Sequence, residues 1–568
     1  MRSLKKIFFA FTKKERIIFL CAAAGAIVSF VVVMAIIFTS STRAVPAAGG
    51  AYTEGIMGQP EYINPVIASS ETDLDLVKMV YSNLNDLADS VTASPDLKTW
   101  DVRIKDGLTW QDGQQLTSDD VIFTVQSIQD QDANSPLAAS WQGVTVNRVS
   151  ELEVQFDLAN PYAFFADNLK NLYIIPKHIF AETPPGNWHL SDYNLKPVGS
   201  GPYEFSSYNK DSDGFVSSYS LTAWKGYSGN APLIQNFNFH FFTDENSLVQ
   251  SFNAGQIDGF GNVSPQEIAT IQRPDDVFLW PTTGYYAVFF DQSNNIALQD
   301  PVVREALSVA IDRNGLVASA LGGNGTPEYG PIPQDAEYYT PIPIASSSGP
   351  SSSSLVGSST ATSSLSGASV AESLLDNDGW TVSSSTGFRS KTIHGAVIPL
   401  TVNLTVPQID FLATTAASLQ TAWQGIGAQV NIVPDAPNDI VTNLITNRNY
   451  EALLFGNVLG PSSDLYSFWD SSQRFSPGLN LSIYDNPTVD TLIETARAST
   501  SSAVITSDMA TAQTDIAADY PAIFLYSPDY VYVTNKNVQG ITTSVLPDPS
   551  DRFLDIGTWY INTARVLK

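Results

Sequence analysis

The chain has 568 residues, 43% of them hydrophobic and 11% aromatic, which excludes disorder and requires more than one hydrophobic core. Its formal charge is −28, and six basic residues against Glu15 give residues 1–16 a net +5, leaving −33 beyond them. So acidic a body excludes nucleic acid and anionic lipid surfaces as partners, because both require basic patches, and a single cysteine, Cys21, excludes an internal disulfide.

Residues 1–16 form a basic flank, and 17–39 carry no charge, long enough to cross a bilayer as a transmembrane helix. The flank belongs on the cytoplasmic side, which puts everything beyond residue 40 outside. Length favours a retained anchor over a cleaved secretion signal, whose apolar core is about 7–15 residues. Cys21 follows Phe19 and Leu20, too bulky for a lipoprotein processing site, and reads as a small apolar residue. Residues 40–50 read as a linker. A strand at 51–57 follows, then a loop marked by Gly58-Gln59-Pro60 and Asn64-Pro65, then a helix at 74–84.

Residues 100–124 alternate as a strand and turn at Asp106-Gly107 and at Asp112-Gly113. A helix then opens at Thr117, with Asp120 completing a capping box. Alternation returns at 146–158. Gly255 ends a helix at 246–257. Residues 285–290 have the composition of a buried strand, and Asp300-Pro301 starts a helix through Arg313 with Val302, Val303, Ala306, Leu307, Ala310 and Ile311 on one face. Ser and Gly dominate 344–369, a flexible insertion by composition. A strand at 400–406, a helix at 410–423 and a strand at 429–433 form a βαβ unit. Strand 452–455 leads into GNVLGPSSDLYSFW, a helix covers 489–496, and 522–533 is a long apolar run broken at Pro528.

Several of these segments resemble the family-5 extracytoplasmic solute-binding proteins, which include the dipeptide- and oligopeptide-binding proteins of ABC importers. The resemblance lies in Trp110-x-Asp112-Gly113 with Thr117-x-x-Asp120-Val121, and in residues 174–179, 197–203, 255–258, 302–313, 330–333 and 371–380. It covers nearly all of 51–535, in family order. It implies an α/β, two-lobed, periplasmic-binding-protein-like fold (type II, the large cluster with an extra subdomain) behind the N-terminal transmembrane helix. Lobe I would hold 51–284 with an inserted subdomain at about 85–195. Lobe II would hold 285–525 with the Ser-rich insertion at 345–369, and 526–568 would return to lobe I. The chain would cross between lobes near 285–291 and 523–533, with Tyr286, Ala287, Val288, Phe524 and Leu525 as hinge residues.

The function implied is extracytoplasmic capture of oligopeptides in the inter-lobe cleft by a monomer, with delivery to an ABC permease and its separate ATPase subunits. The strand at 452–459 is well suited to pair an exposed edge with an extended ligand. Gly456 and Gly460 would permit close approach, and Asn457, Val458 and Leu459 would lie along it. Tyr466 and Trp469 would either line side-chain pockets or pack as core. Asn64 joins the set through the Pro…Asn-Pro loop that relatives place near the cleft. In peptide-binding relatives an Asp ahead of an Asp-Pro pair holds the ligand's α-amino group. Here Asp464-Leu465 stands at the pair and Pro461 at the amine position, so Asp464 is the substitute. Oligosaccharide or metal-chelate receptors of the same fold are the alternative.

Catalytic chemistry finds little support. His178, His189, His240 and His394 show no metal-ligand spacing, so neither a metal nor another cofactor is expected. Asp211-Ser212-Asp213-Gly214 and Asp376-Asn377-Asp378-Gly379 read as turns, since an EF-hand counted from Asn209 would need Glu where Ser220 stands. Ser207-x-x-Lys210 is too short a pattern to mark a nucleophile, and both a Gly-x-Ser-x-Gly elbow and a P-loop are missing. A membrane-anchored surface hydrolase would need a Ser, a His and a carboxylate brought together only by the fold.

Overall fold

The computed structural model describes residues 12–343 and 366–567. Most of the expected Ser-rich insertion lies outside the described residues, as do residues 1–11 of the basic flank. The first helix is Lys13–Ser41, longer at both ends than the charge-free run, because Thr12 and Glu15 cap it reciprocally. Its stretch from Lys13 to Met34 is long and apolar enough to span a membrane, and none of it is buried against the rest of the protein. The expected linker at 40–50 is corrected. β1 (Thr42–Ala47) starts where the helix ends and pairs antiparallel with residues 562–567 along its whole length.

β2 (Ala51–Met57) enters the first lobe, followed by the helix Glu71–Val80. A separate sheet then intervenes: β3 (Ala88–Ala93), β4 (Thr99–Ile104), β5 (Thr145–Ser150) and β6 (Glu153–Asp157), in the order β3-β4-β6-β5. The helix Ser118–Gln129 packs on it, opened by the expected Thr117–Asp120 capping box. At Gly199, a Cβ would sit 1.9 Å from the Val80 carbonyl oxygen, so only glycine fits where the chain rejoins the lobe. β7 (Tyr203–Lys210), β8 (Val216–Ala223), β9 (Asn236–Phe242), β10 (Gly259–Gly261) and β11 (Asp275–Pro281) complete this lobe's strands, running β7-β8-β9-β2-β10.

β12 (Gly284–Phe290) opens the second lobe. Both its faces are buried, Tyr285, Ala287 and Phe289 in one core and Val288 and Phe290 in another, as strand periodicity requires. The single helix expected at 300–313 is two, Pro301–Val309 and Arg313–Leu321. Asp312 accepts the Gly315 N–H at 3.1 Å and so starts a new helix inside the apolar spacing. β13 (Gly325–Pro327) is followed by a small sheet of β14 (Thr381–Val382), β15 (Arg389–Ile393) and β16 (Ala396–Pro399). Then come β17 (Thr401–Pro407), β18 (Gln429–Asp435), β19 (Ala452–Val458) and the helices Pro487–Arg497 and Ser502–Asp519. β20 (Ala522–Asn535) belongs to both lobes. Its first half pairs with β12 and β13, its second with β10 and β11. β21 (Asn562–Leu567) closes the ribbon with β1.

A buried charge cluster fastens the returning segment to the first lobe. Arg552 donates to both oxygens of Asp75, at 2.8 and 2.6 Å, and lies 3.4 Å from Glu54 Oε1. The hydroxyls of Tyr52 and Tyr532 each donate to Glu54 Oε2 at 2.8 Å. Burial pushes both carboxyls up, Asp75 to about 8. Burial also works against the Arg552 charge, but Asp75 and its neighbours outweigh it and hold the guanidinium protonated. Two carboxyls share one cation, and the four elements that supply these groups are bound into one unit.

Candidate functional site

The chain passes between the lobes at a waist of two crossings. β11 ends at Pro281 and β12 begins at Gly284, so the outgoing crossing is Thr282-Thr283. On β20 the partner strands change at Ser527 to Asp529. Ser527 Oγ donates to the Gly284 carbonyl at 2.6 Å, and Thr282 Oγ1 donates to the Pro528 carbonyl at 3.0 Å, which zips the two crossings together. Tyr286, Ala287, Val288, Phe524 and Leu525, expected as hinge residues, lie instead inside the second lobe's sheet, their side chains packed in its cores. The apolar runs that suggested them stop short of the crossings, which are Thr282-Thr283 on one strand and Ser527-Pro528-Asp529 on the other.

Beside the waist sit three carboxyls. Glu328 is almost fully buried, accepts the Gln334 N–H at 3.1 Å, and is pushed by burial up to about 8. Burial and the charge of Asp335 also push Asp529 up. Arg313 donates to the carbonyls of Glu328 and Phe524 at 3.1 and 2.7 Å and stacks on Tyr329, and burial pulls it down to about 10.

β19 lies next to β12 over its full length. On its other side β17 pairs only with Ala452 and Leu453. β17 ends at Pro407, which has no N–H to extend the ladder. The expected exposed edge is therefore interior at its start and open at its end. Among the described residues no strand pairs with Leu454 to Val458 on that side. A Cβ at Gly456 would crowd the Tyr286 ring at 3.0 Å, and Val458 is exposed. Asn457 Nδ2 donates to Tyr285 Oη at 3.0 Å, which turns its side chain away from the edge. Gly460 has φ +70° with open space around it, a turn position rather than a close approach.

Other expected site residues are structural. Leu459 and Trp469 pack in the second lobe's core, with Trp469 against Phe289, Tyr484 and Phe524. Asn64 is fully buried and organises its own turn, its Oδ1 accepting the Val66 N–H at 3.0 Å. Asp464 and Tyr466 do come together, in company the sequence did not disclose: Arg497 and, from the inserted subdomain, Tyr162. Arg497 Nε lies 3.1 Å from Asp464 Oδ2, and the Tyr162 hydroxyl donates to the same oxygen at 3.2 Å. Tyr162 and Asp464 are 302 residues apart, and no local pattern joins them. His178 pairs with Asp112 at 2.8 Å on the subdomain, without a serine hydroxyl on either side chain.

Comparison with known proteins adds the following. The family model for bacterial extracellular solute-binding proteins, family 5 (middle region), matches residues 84–476. The oligopeptide-binding protein AppA of Bacillus subtilis is 25% identical over 512 residues, covering 87% of this chain and 89% of AppA. The substrate-binding protein CtaP of Listeria monocytogenes superposes with a TM-score of 0.73 at 25% identity, covering 90% of this chain and 99% of CtaP. AppA with a bound nonapeptide gives 0.69 at 24%, covering 91% and 100%, and NikZ of Campylobacter jejuni with Ni(L-His) gives 0.69 at 21%, covering 90% and 99%.

Proposed function

Because the chain belongs to the bacterial extracellular solute-binding proteins of family 5, we propose that it captures an extended oligopeptide outside the membrane and hands it to an ABC permease driven by separate ATPase subunits. The observation that carries this reading is the open edge of β19 from Leu454 to Val458, beside the waist between the lobes. An edge of backbone donors and acceptors binds a peptide whatever its side chains, as a receptor for varied peptides needs. The waist at Thr282-Thr283 and Ser527 to Asp529 supplies the hinge. A ligand that touches both lobes only when they close shifts the population toward the closed form, which then docks. The protein acts as a monomer and breaks no bond.

The N-terminal helix is retained as an anchor on this reading. β1 begins at Thr42, directly after the helix, and is the only strand paired with β21 among the described residues. Cleavage among the small residues at 44–48 would strip β21 of its partner. An intact mass of the membrane-extracted protein that includes residues 1–40 is the expected result.

Native mass spectrometry of the full chain in detergent tests the solute class. Peptides of mixed sequence should be retained, and N-methylating the backbone of a bound peptide should weaken it by about 0.5–1.5 kcal/mol for each hydrogen bond lost. Retention of a sugar or a metal chelate, with no peptide, would refute the proposal. That second reading draws its support from Pro461 and from the partners Asp464 already has.

A further inference from the structure

β1 and β21 form a ribbon apart from the other sheets, two strands of six residues each. Every residue of β21 is exposed, and a two-stranded sheet without a covered face is marginal in water by itself. The ribbon also departs from the acidic charge of the body, since it carries Arg43 and Arg565 and no carboxylate. Both arginines lie toward the end next to the helix. Arg565 stands opposite Ala44 and Arg43 opposite Val566, which puts them on opposite faces of the ribbon. The Arg565 guanidinium reaches back along its face and donates to Thr42 Oγ1 at 3.2 Å, at the first residue after the helix. Beside them Val566 is 40% and Leu567 80% exposed.

The distance from the basic flank decides what this end of the ribbon meets. Residues 17–42 carry no charge. The helix rises about 38 Å from Arg16 to Ser41, and two extended residues add up to about 7 Å before Arg43. A bilayer with its headgroups is about 40–45 Å thick. With Arg16 at the inner headgroups, Arg43 arrives at the outer ones, and the strand register brings Arg565 to nearly the same depth.

We propose that this end of the ribbon is a lipid-binding collar, in which Arg43 and Arg565 hold headgroup phosphates of the outer leaflet and Val566 and Leu567 lie at the hydrocarbon boundary. The inference rests on the helix being kept in the bilayer, as read above. A guanidinium matches a phosphate with two parallel N–H···O bonds and is weakly hydrated. Zwitterionic lipids carry that phosphate too, so the charge of −33 beyond residue 16 limits the contact to these two side chains without forbidding it. The membrane then supplies the support that the exposed ribbon lacks within the chain.

The test is hydrogen exchange of the β21 amides in the full chain under three conditions. These are nanodiscs of phosphatidylcholine, nanodiscs of digalactosyldiacylglycerol, which has no phosphate, and dodecyl maltoside micelles. Exchange in phosphatidylcholine should be at least tenfold slower than in the other two, because a ligand that binds only the paired ribbon stabilises it. Arg43→Gln with Arg565→Gln should lose the difference. Arg43→Lys with Arg565→Lys, which keeps two cations, should retain a threefold or greater difference and show that charge, not misfolding, is at issue. Equal exchange in the two lipids overturns the inference, as does a difference that survives the glutamine pair or disappears with the lysine pair. Amides 17–39 in the same samples report on the anchor. If they are protected in lipid while β21 does not respond, the collar alone has failed; if they exchange freely, the anchor reading has failed and the collar falls with it.

Discussion

Replacing Arg552 by Met removes the one cation from a site where Asp75 and Glu54 are both fully buried. Breaking a buried pair while leaving its carboxylates behind costs about 3–5 kcal/mol. For a body of some five hundred residues that is a fall in Tm of roughly 3–5 °C at pH 9.5, taking about 1 °C per kcal/mol. The loss should depend on pH. Burial raises both carboxyls above their ordinary values, and without Arg552 nothing opposes it. A carboxyl raised by folding contributes stability that is present below its unfolded pKa of about 4 and lost as pH rises through the folded value. The deficit should therefore stay small while Asp75 is protonated in the wild type and grow as pH rises above about 8. Scanning calorimetry of wild type and Arg552→Met at pH 5.5, 7 and 9.5 measures it. The triple variant Glu54→Gln, Asp75→Asn, Arg552→Met should recover most of the loss, since no buried charge remains. Equal deficits at pH 5.5 and 9.5, or a deficit under about 2 °C at pH 9.5, would refute this reasoning.

Two other outcomes follow from the waist and the open edge. Glu328→Gln should flatten the decline in wild-type Tm between about pH 5 and 8, because a carboxyl raised from about 4.5 to about 8 loses its stabilising protonated form across that window; an unchanged slope would count against it. Gly456→Val should weaken peptide binding at least tenfold while costing about 1–3 kcal/mol of stability, since its Cβ would press on the Tyr286 ring, and calorimetric titration against unfolding separates the two.

Local signals carried across to the structure, and signals that depend on distant partners did not. Thr117 and Asp120 stand three residues apart, and the cap they make needs nothing else. The break between the helices at Pro301–Val309 and Arg313–Leu321 was hidden because Ile311 keeps the apolar spacing while Asp312 competes as a cap. β1 shows no apolar alternation and contains Pro46, and its partner lies at the other end of the sequence, so it passed for a linker. The helix Ser502–Asp519 was missed because its buried face is built partly from Ala512, Gln513 and Ala517 among Ser and Thr. At the site, the edge strand and Asp464 were legible by position. Arg497 and Tyr162 were not, because their meeting is a property of how the subdomain docks.

The junction at Ser41 and Thr42 leaves the molecule with almost no slack. With the helix kept in the bilayer, its 29 residues span about 44 Å, more than the roughly 30 Å of hydrocarbon, and the ribbon continues without a spacer. Between β1 and β2 the chain is itself tied to the first lobe, the Gly49 N–H donating to the Leu233 carbonyl at 2.8 Å and the Gly50 carbonyl accepting the Asn236 N–H at 3.3 Å. On the proposed reading, a receptor mounted in this way would not swing freely toward a permease. It would search sideways in two dimensions, already oriented, and meet its transporter at an effective concentration set by lateral density rather than by tether length.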